Sequence, residues 1–184
     1  MVYSNVSQAV VKTIKRHGAH DPFRLAEAMG IVILYENFGC DENAIKGFAT
    51  EMNRIKMITL NADLLEIIQR IILAHEIGHI VLHRRRGIRE FHEFSLFDES
   101  SLFEKEANLF AAEYLLSDED VLEAMNGDTT FFSAAAMLHV PAELLDFKFR
   151  VMKWKGYQLV EAPIMAKSNF MKDMEIPADA DYCE

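Results

Sequence analysis

AHEIGHIVLH, residues Ala74 to His83, is the stretch on which the reading of the whole chain turns. It places His75, Glu76, His79 and His83 inside an apolar run, where burying polar groups costs free energy unless they find partners. Ile71, Ile72, Ile77, Ile80, Val81 and Leu82 surround them in a pattern that is helical. Each helical residue turns about 100°, so His75 and His79 lie about 40° apart on one face. Two imidazoles so placed can grip one Zn²⁺ at roughly 2.0–2.1 Å. Glu76, beside the first of them but displaced round the helix, can hydrogen-bond a water on the metal without being a ligand. That is the physical content of HExxH: two ligands and one general base on a rigid element. Zinc lowers the pKa of its water toward about 7, and Glu76 would take that proton and pass it to the leaving amine. Gly78 costs about 1 kcal/mol relative to Ala inside a helix, which makes sense where another element packs closely.

Zinc needs a third protein ligand, and FEKEANLFAAEYLL, Phe103 to Leu116, offers one. Glu104 and Asn108 are four apart and share a face with Ala111 and Leu115. That apolar face is expected to pack on the HEIGH helix, with Ala107, Ala111 and Ala112 allowing close approach. Glu104 can then ligate, and Asn108 can hold a ligand histidine in place. Glu106 points about 200° away from Glu104 and reads as a solvated glutamate beside Glu113 on an outer face. Glu104 is preferred to Glu106 as third ligand, and the choice stays open at this point. His83 continues the histidine stripe, but three consecutive turns of about 5.4 Å each cannot all reach one ion comfortably. It reads as a residue that supports a ligand or packs beside one.

The rest of the chain supplies a scaffold. Its 184 residues fit one domain: 1–160, with a core over about 21–125, a helical part over about 126–160 and a tail at 161–184. Helices are expected over Ser4–His17 and from the Asp21 cap and Pro22 to Gly30, then a strand at Ile31–Tyr35. Ile45–Thr50 and Lys56–Leu60 read as a hairpin in a small antiparallel or mixed sheet, followed by a long helix capped by Asn61 or Asp63. Further helices are expected over Leu102–Leu116, from a Ser117 cap, over Phe131–Leu138 and over Pro141–Lys153. The fold class is α+β, a small sheet packed on a helical bundle that carries the HExxH helix.

Composition narrows the function. No apolar run reaches the roughly 18 residues of a membrane span. The N-terminal MVYSNVSQAVVKTIKRHG carries charge where a signal peptide would be apolar, so the expected home is the cytoplasm. The net charge of −10 disfavours nonspecific attraction to nucleic acid or anionic membrane. Cys40 and Cys183 match no paired framework and read as reduced thiols.

HEIGHIVLH followed by EKEANLFAAEYLL resembles the ImmA/IrrE-type metallopeptidase family. DPFRLAEAMGI before a strand, and the GF at Gly47 before a strand pair, are similar to that family's N-terminal part. The resemblance runs from about Asp21 to Met125, and more loosely through VPAELLDFKFR. It implies a core like that of gluzincin-type zinc peptidases, with His75, His79 and Glu104 as zinc ligands and Glu76 as base. It also implies a peptide substrate laid along an edge strand, for which Lys56–Leu60 is the candidate. Members of the family accompany mobile elements and stress regulators and cut helix-turn-helix repressors, so such a repressor is the expected partner. The rival reading is a non-catalytic metal-containing protein that binds a repressor.

Other features read as structural. His139, Tyr114 and His92 are candidates for stabilising a transition state, but each fits a packing role. Arg84, Arg85, Arg86 and Arg89 complement a helix dipole. SAAAMLHVPAELLDFKF has a helix-turn-helix rhythm, yet its second helix carries few base-reading side chains, so direct DNA binding is not expected. Phe131, Phe132, Phe147 and Phe149 read as core or partner surface.

Overall fold

A computed structural model describes residues 2–41, 44–83 and 101–166, with Ser101 described by its backbone alone. The elements run α1 Val2–His17, α2 Pro22–Ala28, β1 Val32–Glu36, β2 Gly47–Met52, β3 Ile55–Asn61, α3 Glu66–Leu82, α4 Ser101–Leu115, α5 Asp118–Ala124, α6 Phe131–Met137 and α7 Ala142–Lys155. This is an α+β fold, with α3 lying between a small sheet and the remaining helices.

Local chemistry sets most boundaries. Asp21 caps α2 by accepting from the Phe23 and Arg24 N–H groups, with Pro22 at the first helical position. Ser117 accepts from the Asp120 N–H and Thr130 from the Ser133 N–H, starting α5 and α6. Gly156, at φ 100°, closes α7 in the left-handed conformation that glycine adopts most readily. The β2–β3 turn is Asn53-Arg54, both at positive φ, the geometry of a two-residue hairpin turn.

Neither Asn61 nor Asp63 caps α3, contrary to the sequence reading. The cap position is Leu65, with no side-chain hydrogen bond. Both side chains are spent on the loop before β2. Fully buried Asn61 donates to the Gly39 and Ile45 carbonyls and accepts from the Phe38 and Asp63 N–H groups. Asp63 accepts from the Gly39 N–H and from Asn37.

The sheet is mixed, in the order β1-β3-β2, with β1 parallel and β2 antiparallel to β3. Lys56–Leu60 is therefore the middle strand and not an edge. The alternation of β3 sends Ile58 and Leu60, each 0% exposed, into the core, but alternation cannot reveal that β1 pairs along its other side. The edges are β1 and β2. In β2 the Lys46 carbonyl accepts from the Asn61 N–H, so by alternation the backbone groups of Gly47, Ala49 and Glu51 point away from β3.

One hydrophobic cluster joins α1, the sheet, α3, α4 and α7, from Val6 to Ala166. Within α7, Leu144, Leu145, Asp146, Phe147, Lys148 and Phe149 are all buried. The helix-turn-helix rhythm therefore produces a packed helix pair. Phe131, Phe147 and Phe149 are core, while Phe132 is exposed. Residues 157–166 fold back along α7, where Ala166 donates to Asp146 and accepts from Arg150. Cys40 is disulfide-bonded, which corrects the reduced-thiol reading; pairing follows proximity in space, which spacing does not disclose. Cys183, Arg84, Arg85, Arg86, Arg89 and His92 lie outside the described residues. No helix among the described residues is long and apolar enough to cross a membrane.

Candidate metal centre

The centre forms where α3 and α4 approach most closely. A Cβ built on Gly78 would lie 3.2 Å from the Ala107 Cα and 3.1 Å from the Phe110 Cβ. The glycine thus removes the one atom that would hold the helices apart. This close approach brings the front of α4 onto the histidine stripe of α3.

His75 Nε2 lies 3.1 Å from Glu104 Oε2, His79 Nε2 lies 3.3 Å from Glu104 Oε1, and the two Nε2 atoms are 3.0 Å apart. All three donor atoms fall within 4.8 Å of one another. An ion bound tetrahedrally at 2.0–2.1 Å holds its donors about 3.3 Å apart, so these residues fit a small divalent cation. On the far side of its ring, His75 Nδ1 meets Asn108 Oδ1 at 2.7 Å. The amide oxygen accepts only, so Nδ1 carries the proton and Nε2 presents its lone pair to the other donors.

Electrostatics follow from burial. Burial lowers the pKa of His79 to about 4, with Glu104 opposing and His75 adding to the fall. Burial also pulls His75 down, but the carboxylate of Glu104 outweighs it and the net direction is up. Burial pushes Glu104 up, yet the two imidazoles overcome this and hold it well below the usual carboxylate range. Glu76, 8% exposed, is raised to about 7 by burial; the charge of Glu104 adds, while His75 and a hydrogen bond from the Ala49 N–H oppose. Ala49 belongs to the edge strand β2, so Glu76 lies between the imidazole pair and the open side of the sheet.

Glu106 is not a solvated residue, and Glu113 is not on an outer face. Glu106 Oε2 lies 3.0 Å from His83 Nε2, and Glu113 is buried against Lys148 and Ser7. The contact line between α3 and α4 passes through Ala107, not through Glu104 and Asn108. Glu104 and Asn108 flank that line by about 60° and 100° on one side, and Glu106 by about 100° on the other. Both carboxylates therefore reach α3, one at His75 and His79, the other at His83. The opposite face of α4 packs under α1 and α7. His83 is buried, with Nδ1 3.2 Å from His79 Nδ1 and its ring edge-on to Phe103. The sequence signal for Glu106 was His83 itself, since a buried imidazole needs an acceptor. The Ala49 N–H carried no such signal.

Two of the candidate stabilising residues are placed elsewhere. The Tyr114 hydroxyl donates to the Ala19 carbonyl in the core. His139 is exposed on the α6–α7 turn at φ 53°.

Residues 26–150 match the family described as the IrrE N-terminal-like domain, a peptidase family. The chain belongs to the ImmA/IrrE family. Among curated relatives, it is 34% identical over 146 residues to "Uncharacterized immunity region protein 2" of Bacillus phage phi105, a match spanning 79% of this chain and 90% of that one. It is 29% identical over 146 residues to "Metallopeptidase ImmA" of Bacillus subtilis, spanning 78% of this chain and 83% of the relative. In this ImmA/IrrE chain the matched region contains every residue of the candidate centre.

Proposed function

We propose that this chain is a zinc-dependent endopeptidase of restricted specificity that cleaves a helix-turn-helix repressor of a mobile element or stress regulon. The observation that carries the reading is the convergence of His75, His79 and Glu104 beside the buried carboxylate of Glu76. His75, His79 and Glu104 would hold the ion, and imidazole with carboxylate favours zinc among divalent metals. Bound there, the ion supplies Lewis acidity, polarising a carbonyl and making a water easier to deprotonate. Glu76 is the general base: its raised pKa suits it to accept a proton from the attacking water and return it to the leaving amine nitrogen. The Ala49 N–H fixes one side of that carboxylate. The outward backbone of β2 offers an edge along which an extended substrate segment can add as a strand. That edge replaces the one expected from the sequence. The name of the phage relative supports an immunity-region setting, and that of the Bacillus subtilis relative supports metallopeptidase activity.

The test combines the zinc-loaded protein with candidate helix-turn-helix repressors from its own source, read by mass spectrometry. A shortened repressor is expected, and Glu76→Gln should retain the metal while cleavage falls by 100-fold or more, the range for a lost general base being about 10²–10⁴-fold. An intact repressor in a stable complex would replace this reading with that of a non-catalytic binding regulator.

A further inference from the structure

Glu106 takes no part in the proposed donor set, yet its carboxylate stands at the end of a line of ring nitrogens that leads there. His79 presents Nε2 to Glu104 at 3.3 Å and Nδ1 to His83 Nδ1 at 3.2 Å. His83 presents Nε2 to Glu106 Oε2 at 3.0 Å. Two imidazoles meeting through their Nδ1 atoms can hydrogen-bond only if one donates and the other accepts. The carboxylate decides which. An ionised carboxylate accepts only, so His83 carries its proton on Nε2 and donates it to Glu106. A neutral imidazole has one N–H, which leaves His83 Nδ1 as an acceptor. With Glu104 and His75 engaged by an ion, His79 would carry its proton on Nδ1 and donate it there, leaving Nε2 with a lone pair on the side of Glu104 and His75.

Without that order the ring of His79 can place its proton on either side, on Nε2 toward Glu104 and His75 or on Nδ1 toward His83. With its proton on Nε2 it would turn an N–H toward the donor set and could not ligate. His75 faces the same choice and is fixed directly, by Asn108 Oδ1 at 2.7 Å. His79 meets another histidine where His75 meets an amide oxygen, and a histidine alone sets no direction. The direction comes from Glu106. Phe103, edge-on to His83 with ring centroids 4.8 Å apart, restricts rotation of the intermediate ring.

We infer that Glu106 is a positioning residue that acts through His83 to fix the tautomer of His79 with its metal-facing nitrogen unprotonated. The inference rests on the proposed metal centre and assigns a role to a carboxylate that does not itself bind the ion. It explains why the histidine stripe continues for a third turn, beyond the reach of a single ion, and why α4 offers carboxylates on both sides of its contact line.

The experiment loads wild-type protein with Zn²⁺ and records long-range ¹H–¹⁵N spectra of the imidazoles, alongside zinc affinity by competition with a chelator. His79 is expected to carry its proton on Nδ1 with the metal at Nε2, and His83 its proton on Nε2. Glu106→Leu should leave His83 without that fixed tautomer and weaken zinc binding by about 10–100-fold, the range seen when a partner of a ligand is removed. Glu106→Gln retains an accepting oxygen and should restore most of the affinity, which a role in packing alone would not predict for Gln over isosteric Met. Wild-type affinity in Glu106→Leu, a metal at His79 Nδ1, or a proton on His83 Nδ1 would overturn the inference and leave the metal centre standing. A wild-type protein that binds no zinc at these residues would overturn both. If Glu106→Leu does not fold, the tautomers in wild type and Glu106→Gln decide the matter.

Discussion

Helix α4 buries carboxylates near both ends, and the two ends are finished differently. Toward its C-terminus, buried Glu113 and, beyond the helix end, the partly buried Asp118 that opens α5 face two ammonium groups. Lys148 Nζ lies 2.7 Å from Glu113 Oε2 and 2.7 Å from Asp118 Oδ1. Lys155 Nζ lies 2.6 Å from Glu113 Oε1 and 2.8 Å from Asp118 Oδ2. Two negative charges meet two positive ones, supplied by α7. Toward the N-terminus, Glu104 faces two imidazoles, with Glu76 buried close by. Among the described residues no lysine or arginine forms an ion pair with Glu76 or Glu104. Where the protein supplies its own cations the cluster is electrically closed. Where it supplies imidazole lone pairs and carboxylates, the missing positive charge is what a divalent ion provides.

The largest effect should come from opening the closed end. Lys148 is 1% exposed, and Lys148→Met would leave buried Glu113 and partly exposed Asp118 to share Lys155 alone. Breaking a buried ion pair from one side costs about 3–5 kcal/mol. Urea unfolding of Lys148→Met should show a loss of that order. Lys148→Met combined with Glu113→Gln should recover part of it, because the stranded charge is gone. Equal losses in the single and double variants would show that the cluster is not coupled as its geometry implies.

Closing the open end should come next. A ligand that binds only the folded state at 1,000 times its Kd adds about 4.1 kcal/mol, so zinc should raise the urea midpoint and a chelator should reverse the gain. The increment should vanish in His75→Ala and persist in the folded fraction of Lys148→Met. An increment that survives His75→Ala would place the ion elsewhere and dissolve the contrast between the two ends.

Gly78→Ala tests the seam between them. An alanine should help an isolated helix by about 1 kcal/mol. Here its methyl would meet the Ala107 Cα and Phe110 Cβ at 3.1–3.2 Å, and backbone atoms on a packed helix yield little. Overpacking costs roughly 1–3 kcal/mol, so a net loss of about 1 kcal/mol in unfolding is expected, along with weaker zinc binding as Glu104 moves off α3. A more stable variant with unchanged zinc affinity would mean that the seam is loose.

The two ends also differ in how far sequence alone discloses them. The open end was largely legible, because HEIGH packs two donors and a carboxylate into one helical turn, and a periodicity of 3.6 locates them. The partner helix was legible as a helix but misjudged in rotation. Helical spacing gives the angle between Glu104 and Glu106, not the position of the contact line, which depends on where Ala107 meets Gly78. The same gap turned Glu113 outward in the sequence reading and hid the closed end altogether. Its pairing of α4 with α7 spans 35 residues between Glu113 and Lys148. The sheet failed in a related way: strand propensity located all three strands, while the order β1-β3-β2 is a long-range choice that no local pattern records.

The smallest expected effect separates the two ends by pH. Burial raises the Asp118 carboxyl, but its bonds to Lys148 and Lys155 outweigh this, and its pKa is lowered from 3.8. A carboxylate with a lowered folded pKa contributes stability that is present above its unfolded value and lost as pH falls through the folded one. The Asp118 contribution should therefore hold down to about pH 4, the ordinary carboxylate value, and fade below it. Lys155 has the opposite sign. Burial opposes its charge, Asp118 and Glu113 outweigh burial, and its pKa is raised from 10.5. Its contribution is complete below that value and lost as pH climbs through the folded one. The Asp118 and Lys155 contributions are thus insensitive to pH across the neutral range. The zinc increment is not, because imidazoles must be deprotonated to ligate: His75, raised by Glu104, takes up its proton above the ordinary imidazole value of about 6.5 and starts the fall there, while His79, lowered by burial to about 4, adds to it only near the acid end. Urea unfolding from pH 4 to 8, with and without zinc, should show wild type and Asp118→Asn differing by a constant amount while the zinc increment shrinks toward acid in both. A zinc increment that stays flat to pH 4 would mean that the imidazoles do not hold the ion, and an Asp118→Asn difference that tracks the increment would mean that the two ends titrate as one unit.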